Sequence, residues 1–139
     1  MVERKYVDVN VFVYWLGGHE EFGEKALEWI KRVERSPPGE FVTSSLAIYE
    51  TIVILAGLIG KNLKDLAFVQ SVITDITRLR GLKIAPQTAN DLKKALKLMQ
   101  TYKLDFEDAI HLAIALREKT IAIISNDADY DRTPLKRLF

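Results

Sequence analysis

Residues 104–127 read LDFEDAIHLAIALREKTIAIISND, a helix signal followed almost at once by a strand signal. Asp105 stands where a side-chain oxygen can satisfy the free N–H groups of a first helical turn. The helix it opens is expected from Phe106 to about Glu118, and the small pair Ala109 and Ala113 lets that helix pack closely on a sheet. Thr120–Ser125 is β-branched and apolar, as a buried strand requires. The polar, acidic stretch Asn126–Thr133 reads as the loop beyond it. A helix delivered directly into an apolar strand is the unit from which parallel sheets are built.

The same alternation continues toward the N-terminus. Residues 5–9 and 11–13 form a valine-rich run expected as the first strand, and Gly17-Gly18 breaks the chain after it. A helix over roughly 19–35 would carry Phe22, Ala26, Leu27, Ile30 and Val33 on one face. Ser36–Gly39, with two prolines, is a turn. Phe41–Thr43 follows as a short strand, with Ser44 or Ser45 as cap of a helix ending near Gly57–Gly60. Helical spacing from Leu63 to about Arg80, a strand Leu82–Ala85 and a charged helix with Leu92, Ala95, Leu96, Leu98 and Met99 inward complete the alternation. The expectation is a three-layer α/β/α architecture with a central parallel sheet, one domain over residues 1–139. A doubly wound order would bring the first and last elements toward the same edge.

Composition excludes several classes. With no cysteine, disulfide and thiol chemistry are absent. A hydrophobic share of 48% and a charged share of 28% suit a soluble globular protein. The net charge of +1 is no basic footprint for nucleic acid, although an acidic cluster would mask basic residues in such a sum. The longest uncharged stretch, residues 41–60, is interrupted by Glu50, whereas a membrane span needs about 20 mostly apolar residues. A cytoplasmic protein with no membrane segment is expected.

Four carboxylates fall in apolar surroundings. Asp8 is the one charge between Lys5 and Glu20, and Glu50 the one charge between Glu40 and Lys61. Asp108 lies in the first turn of an apolar helix, and Asp127 comes just after the last strand, IAII. Taken singly, each has an ordinary use. Asp8 can bond backbone N–H groups at a strand end, Glu50 can face solvent, Asp108 can complement a helix dipole, and Asp127 can form a turn. Jointly they describe charges that are costly unless paired, with no comparably placed Lys or Arg beside them. Hard divalent ions such as Mg²⁺ or Mn²⁺ take oxygen ligands of this kind. His111, at i+3 from Asp108 on a mostly apolar helix, is expected as a core or supporting residue instead of a ligand and is left outside the site. No G-x-S-x-G elbow, phosphate-binding loop or dinucleotide fingerprint is present.

YVDVNVF, an isolated Glu in the helix after the second strand, the segment DAIHLAIA and IISNDADYD together resemble the PIN-domain proteins, in order and over nearly the whole chain. The closest type is the small single-domain ribonuclease toxin (VapC-like) of toxin–antitoxin pairs. The resemblance implies a PIN-like fold and Mg²⁺- or Mn²⁺-dependent cleavage of RNA phosphodiester bonds. It assigns Asp8, Glu50, Asp108 and Asp127 as catalytic and metal-binding residues. Asn10 matches the small polar residue two past the first acid, Ser125 stands at a place more often filled by Thr, and Asp129 lies where a further acid often occurs. The partners implied are an RNA substrate, a cognate antitoxin protein and a second copy in a homodimer.

Asp8, Asp108 and Asp127 are the expected direct ligands, with Glu50 a ligand or a base orienting water. They can hold two ions about 4 Å apart or one ion with ordered waters. Lys93, Lys94, Lys97, Arg132, Lys136 and Arg137 are candidate contacts to RNA phosphates. A phosphatase of the haloacid-dehalogenase type would need D-x-D where this chain has Asp8-Val9-Asn10. A non-catalytic metal-binding regulatory domain of the receiver type would need a Lys where Ser125-Asn126-Asp127 stands. An apolar excess over Leu63–Ile76, beside the aliphatic run Ile52–Leu58, is the expected surface of self-association.

Overall fold

A computed structural model describes residues 3–139, so the first two residues of the expected domain lie outside it. The elements run β1 (Arg4–Val7), α1 (Val9–Leu16), α2 (Gly23–Arg35), β2 (Phe41–Ser44), α3 (Ser45–Ile59), α4 (Leu66–Thr77), β3 (Leu82–Ala85), α5 (Ala89–Tyr102), α6 (Phe106–Arg117), β4 (Thr120–Ile124), a 3-10 turn (Ala128–Arg132) and β5 (Lys136–Leu138). The five strands form one sheet in the order β3-β2-β1-β4-β5, with every neighbouring pair parallel.

Strand alternation sorts the core into two layers. Tyr6, Val42 and Ile123, aligned across β1, β2 and β4, face one side and pack with Ala95 and Leu98 of α5 and the buried face of α6. Their neighbours Val7, Phe41 and Ile124 face the other side and pack with α1, α2, α3 and α4. This is the expected three-layer α/β/α arrangement about a parallel sheet. Ala109 and Ala113 are fully buried, as the small-residue spacing of α6 required.

Several boundaries differ from expectation. The first strand stops at Val7, because Asp8 takes the capping position of α1 and its side chain accepts the Val9 N–H. Val9, Phe12 and Val13 are buried at helical spacing, so tertiary burial overrides their strand preference. The helix expected over 19–35 begins at Gly23, since the His19 ring nitrogen accepts the N–H groups of Glu21 and Phe22 and holds a turn there. The spacing from Leu63 narrows to a helix capped by Asp65. β5 had no counterpart in the strand pattern, and the first strand lies at the centre of the sheet instead of near an edge. Among the described residues, no helix is long and apolar enough to cross a membrane.

Candidate metal centre

Because every strand is parallel, the ends of β1, β2 and β4 open on one edge, where parallel α/β folds gather function. Asp8 follows β1 directly, Ser44 closes β2, and Ser125–Asp127 follow β4. The α6 N-terminus brings Asp108 to the same edge, with Asp105 accepting the Asp108 N–H at 2.8 Å. A cleft of about 230 Å³ is lined there by Asp8, Asn10, Glu107, Asp108, His111 and Asp127, among others.

Asp8 is 6% exposed and its carboxylate is held on both oxygens. Oδ1 accepts the Val9 N–H at 2.8 Å, and Oδ2 accepts the Ser125 hydroxyl at 2.6 Å and an Asn10 amide N–H at 3.3 Å. Asn10 Oδ1 in turn accepts the Asn126 N–H at 3.3 Å, and Ser125 Oγ the Asp127 N–H at 3.0 Å. Asn10 and Ser125, two of the three supporting residues expected from sequence, thus tie the first acid to the turn that carries the fourth.

Asp127 caps the 3-10 turn and accepts the Asp129 N–H at 2.9 Å. Asp108, Asp127 and Asp129 each place a carboxylate oxygen within 4.8 Å of the others. Burial first, then the charges of Asp105, Asp127 and Asp8, push the Asp108 carboxyl up to about 7. Burial also raises Asp8, with Asp127 adding to it, against the lowering influence of His111, Ser125 and Val9. Carboxylates raised by burial and, less, by one another mark a site short of positive charge. An all-oxygen donor set in that state fits a hard divalent cation.

Glu50 has a different partner. Its Oε1 lies 2.7 Å from His111 Nε2, and His111 Nδ1 lies 2.7 Å from the Tyr6 hydroxyl, which donates to Ser44 Oγ at 2.8 Å. Burial favours a neutral His111 ring, but the Glu50 hydrogen bond and the charges of Asp8, Glu50 and Asp108 outweigh it and raise its pKa. When protonated, the ring donates from both nitrogens, and its bond to Oε1 fixes Glu50 beside His111. Asp8, Asp108 and Asp127 line the cleft directly, whereas Glu50 reaches it through His111.

His111 therefore lines the cleft and bonds Glu50, and its sequence signal was its place three residues after Asp108. Glu107, which brings an oxygen within 4.8 Å of the Glu50 and His111 ligand atoms, had no signal beyond adjacency to Asp108. Nor did the buried Tyr130, whose hydroxyl points at Asp108 Oδ1 from 3.4 Å. Two of the cations expected to meet RNA are otherwise engaged. Arg137 pairs with Asp131 through Nε and Nη2, and Arg132 binds Asp129 and two backbone carbonyls. Lys93, Lys94, Lys97 and Lys136 are exposed.

The family model described as PIN domain matches residues 5–136. No curated protein sequence matches the chain. Among solved structures, VapC20 of Mycobacterium tuberculosis, a Sarcin-Ricin loop cleaving toxin, superposes with a TM-score of 0.73 at 14% identity, covering 91% of this chain and 92% of that one. A toxin–antitoxin complex from Klebsiella pneumoniae gives 0.64 at 22% identity, covering 95% and 98%. VapBC2 from Rickettsia felis, bound to a DNA fragment from its promoter, gives 0.68 at 16% identity, covering 96% of each. At these identities the likeness is one of fold.

Proposed function

The chain belongs to the PIN domain family, and from that membership we propose that it is a Mg²⁺- or Mn²⁺-dependent endoribonuclease, the toxin of a toxin–antitoxin pair working in the cytoplasm. The observation that carries this reading is the meeting of Asp108, Asp127 and Asp129 within 4.8 Å, beside a buried Asp8, with Asp108 raised to about 7. Such crowding is unfavourable for the protein alone and is relieved by a bound cation.

Asp8, Asp108 and Asp127 hold the ion in this reading, with Asp129 adjoining. Asn10 and Ser125 fix the Asp8 carboxylate by the bonds to its Oδ2. When bound, a divalent ion polarises a phosphoryl oxygen and acidifies its water toward neutral pH. Glu50, with Oε1 bonded to His111, keeps Oε2 to accept a hydrogen bond from the attacking water. The exposed Lys93, Lys94, Lys97 and Lys136 remain as contacts for RNA phosphates.

Two partners are proposed beside RNA. Toxin–antitoxin complexes among the structural neighbours support a cognate antitoxin. A groove between α3 and α4, lined by Ile48, Tyr49, Ile52, Val53, Leu63 and Ile73 among others, supports a homodimer built on that face. Leu63 in its lining is exposed, as are Leu58 of α3 and Leu66 of α4, while Val72 and Ile76, counted in the apolar excess, are buried in the core.

RNA cleavage by the purified protein tests the reading. Cleavage should need Mg²⁺ or Mn²⁺, stop with chelator, and be abolished in Asp8→Asn with the fold retained. Wild-type cleavage by Asp8→Asn would remove Asp8 from the site. Metal binding with no cleavage of any RNA would favour a regulatory domain.

A further inference from the structure

Arg132 closes the 3-10 turn, yet its guanidinium reaches out of that turn to another part of the chain. Nε donates to the Tyr102 carbonyl at 2.9 Å and Nη2 to the Lys103 carbonyl at 2.8 Å. Nη1 donates to Asp129 Oδ1 at 3.3 Å. The two carbonyls end α5, where Tyr102 is the last helical residue and Lys103 turns the chain with a φ of 56°. A helix C-terminus presents carbonyls without intrahelical partners, and a cation meets them well. Two residues beyond Lys103, Asp105 opens α6 and positions Asp108.

One side chain therefore joins the connection leading into Asp108 to the turn that carries Asp127 and Asp129. Among the described residues, no backbone–backbone hydrogen bond links residues 103–109 to residues 125–133. The other polar link between the two segments is the long approach of the Tyr130 hydroxyl to Asp108 at 3.4 Å. The three acids whose oxygens converge thus come from two segments that share the apolar cluster of Leu104, Ala109 and Tyr130, and whose polar connection rests largely on a single guanidinium.

We propose that Arg132 is a positioning residue for the carboxylate centre, clamping the α5–α6 connection to the acid-bearing turn so that Asp108, Asp127 and Asp129 share one cation. The inference rests on the metal-centre reading above. Arg132 acts through the planar fork of its donors, which reaches two carbonyls and one carboxylate at once. Lysine carries the charge on a single nitrogen and cannot reproduce that spread. The side chain is 44% exposed, so its removal takes away links between segments more than core packing.

The test compares wild type, Arg132→Ala, Arg132→Lys and the core variant Val72→Ala by titration calorimetry with Mn²⁺ and by hydrogen exchange of the metal-free proteins. Arg132→Ala should bind Mn²⁺ roughly 10- to 100-fold more weakly, the loss typical when a residue orienting ligands is removed. Arg132→Lys should lie nearer to Ala than to wild type. Val72→Ala should melt earlier yet keep the wild-type Mn²⁺ affinity. Without metal, residues 104–109 and 127–133 should exchange faster together in both Arg132 variants, while α3 is unchanged. Wild-type Mn²⁺ affinity in either Arg132 variant overturns the proposal. If wild type itself binds no Mn²⁺, the metal-centre reading fails, and unchanged exchange in the two segments then overturns the clamp independently.

Discussion

Glu50 Oε1 and His111 Nε2 lie 2.7 Å apart although 61 residues separate them in sequence. The contact joins α3 to α6 across the open edge of the sheet. His111 is 1% exposed, and its second nitrogen is met by Tyr6. A buried imidazole between a carboxylate and a phenol has neither ring nitrogen without a partner.

Replacing His111 by Ala removes the partner of both Glu50 and Tyr6. The expected cost is about 1–3 kcal/mol for the buried polar groups left behind, read by urea unfolding. RNA cleavage should fall as well, because Glu50 loses its fixed orientation. A variant with wild-type stability would show that the two bonds contribute nothing net.

In metal-free protein, stability should fall as pH rises from about 5 to about 8. Asp108, raised to about 7, keeps its proton in the folded state over a range where the unfolded chain has lost it. The native state therefore binds more protons there, which makes the slope negative. His111 acts in the same direction, since a raised imidazole stabilises below its ordinary pKa and ceases to do so as pH passes its folded value. Asp108→Asn should flatten the profile of melting temperature against pH measured in chelator. Saturating Mg²⁺ or Mn²⁺ should raise the melting temperature, by about 2.7 kcal/mol of stabilisation at a hundredfold excess over Kd.

Asp91, 2% exposed, accepts from Arg117 Nε at 3.0 Å and Nη2 at 3.1 Å, and caps α5 with Thr88. Burial alone would raise its pKa, but the Arg117 and Thr88 bonds outweigh burial and lower it. Arg117→Ala should cost about 1–3 kcal/mol near neutral pH. A lowered carboxyl stabilises above its ordinary pKa and loses that effect as pH falls through its folded value. The difference between variant and wild type should therefore shrink in acid, as denaturant titrations at several pH values would show.

Light scattering at micromolar concentration should give twice the single-chain mass of 15.9 kDa. An isologous pair would use the α3–α4 groove on both copies. Ile73→Glu, in the lining of that groove at a position 41% exposed, should return the mass to the single-chain value. A wild-type mass near 15.9 kDa would sink the dimer.

Local signals carried most of the architecture. The β-branched run Thr120–Ile124, the cap Asp105 and the pair Ala109 and Ala113 act over a few residues, so α6 and β4 were legible in the chain. As candidates the four acids stood out too, because a charge in an apolar segment is conspicuous wherever that segment goes, and Asp8, Asp108 and Asp127 come to line one cleft. Sequence could not show that Val9–Leu16 leaves the strand for a helix, since burial against α2 and α3 decides it over local preference. Nor could it show that Ser125 would meet Asp8 across 117 residues, that His111 would hold Glu50, or that Arg132 would bind α5 carbonyls instead of facing outward. Those meetings depend on the parallel register that sets Val7 beside Ile124, a long-range pairing that no short stretch of sequence specifies by itself.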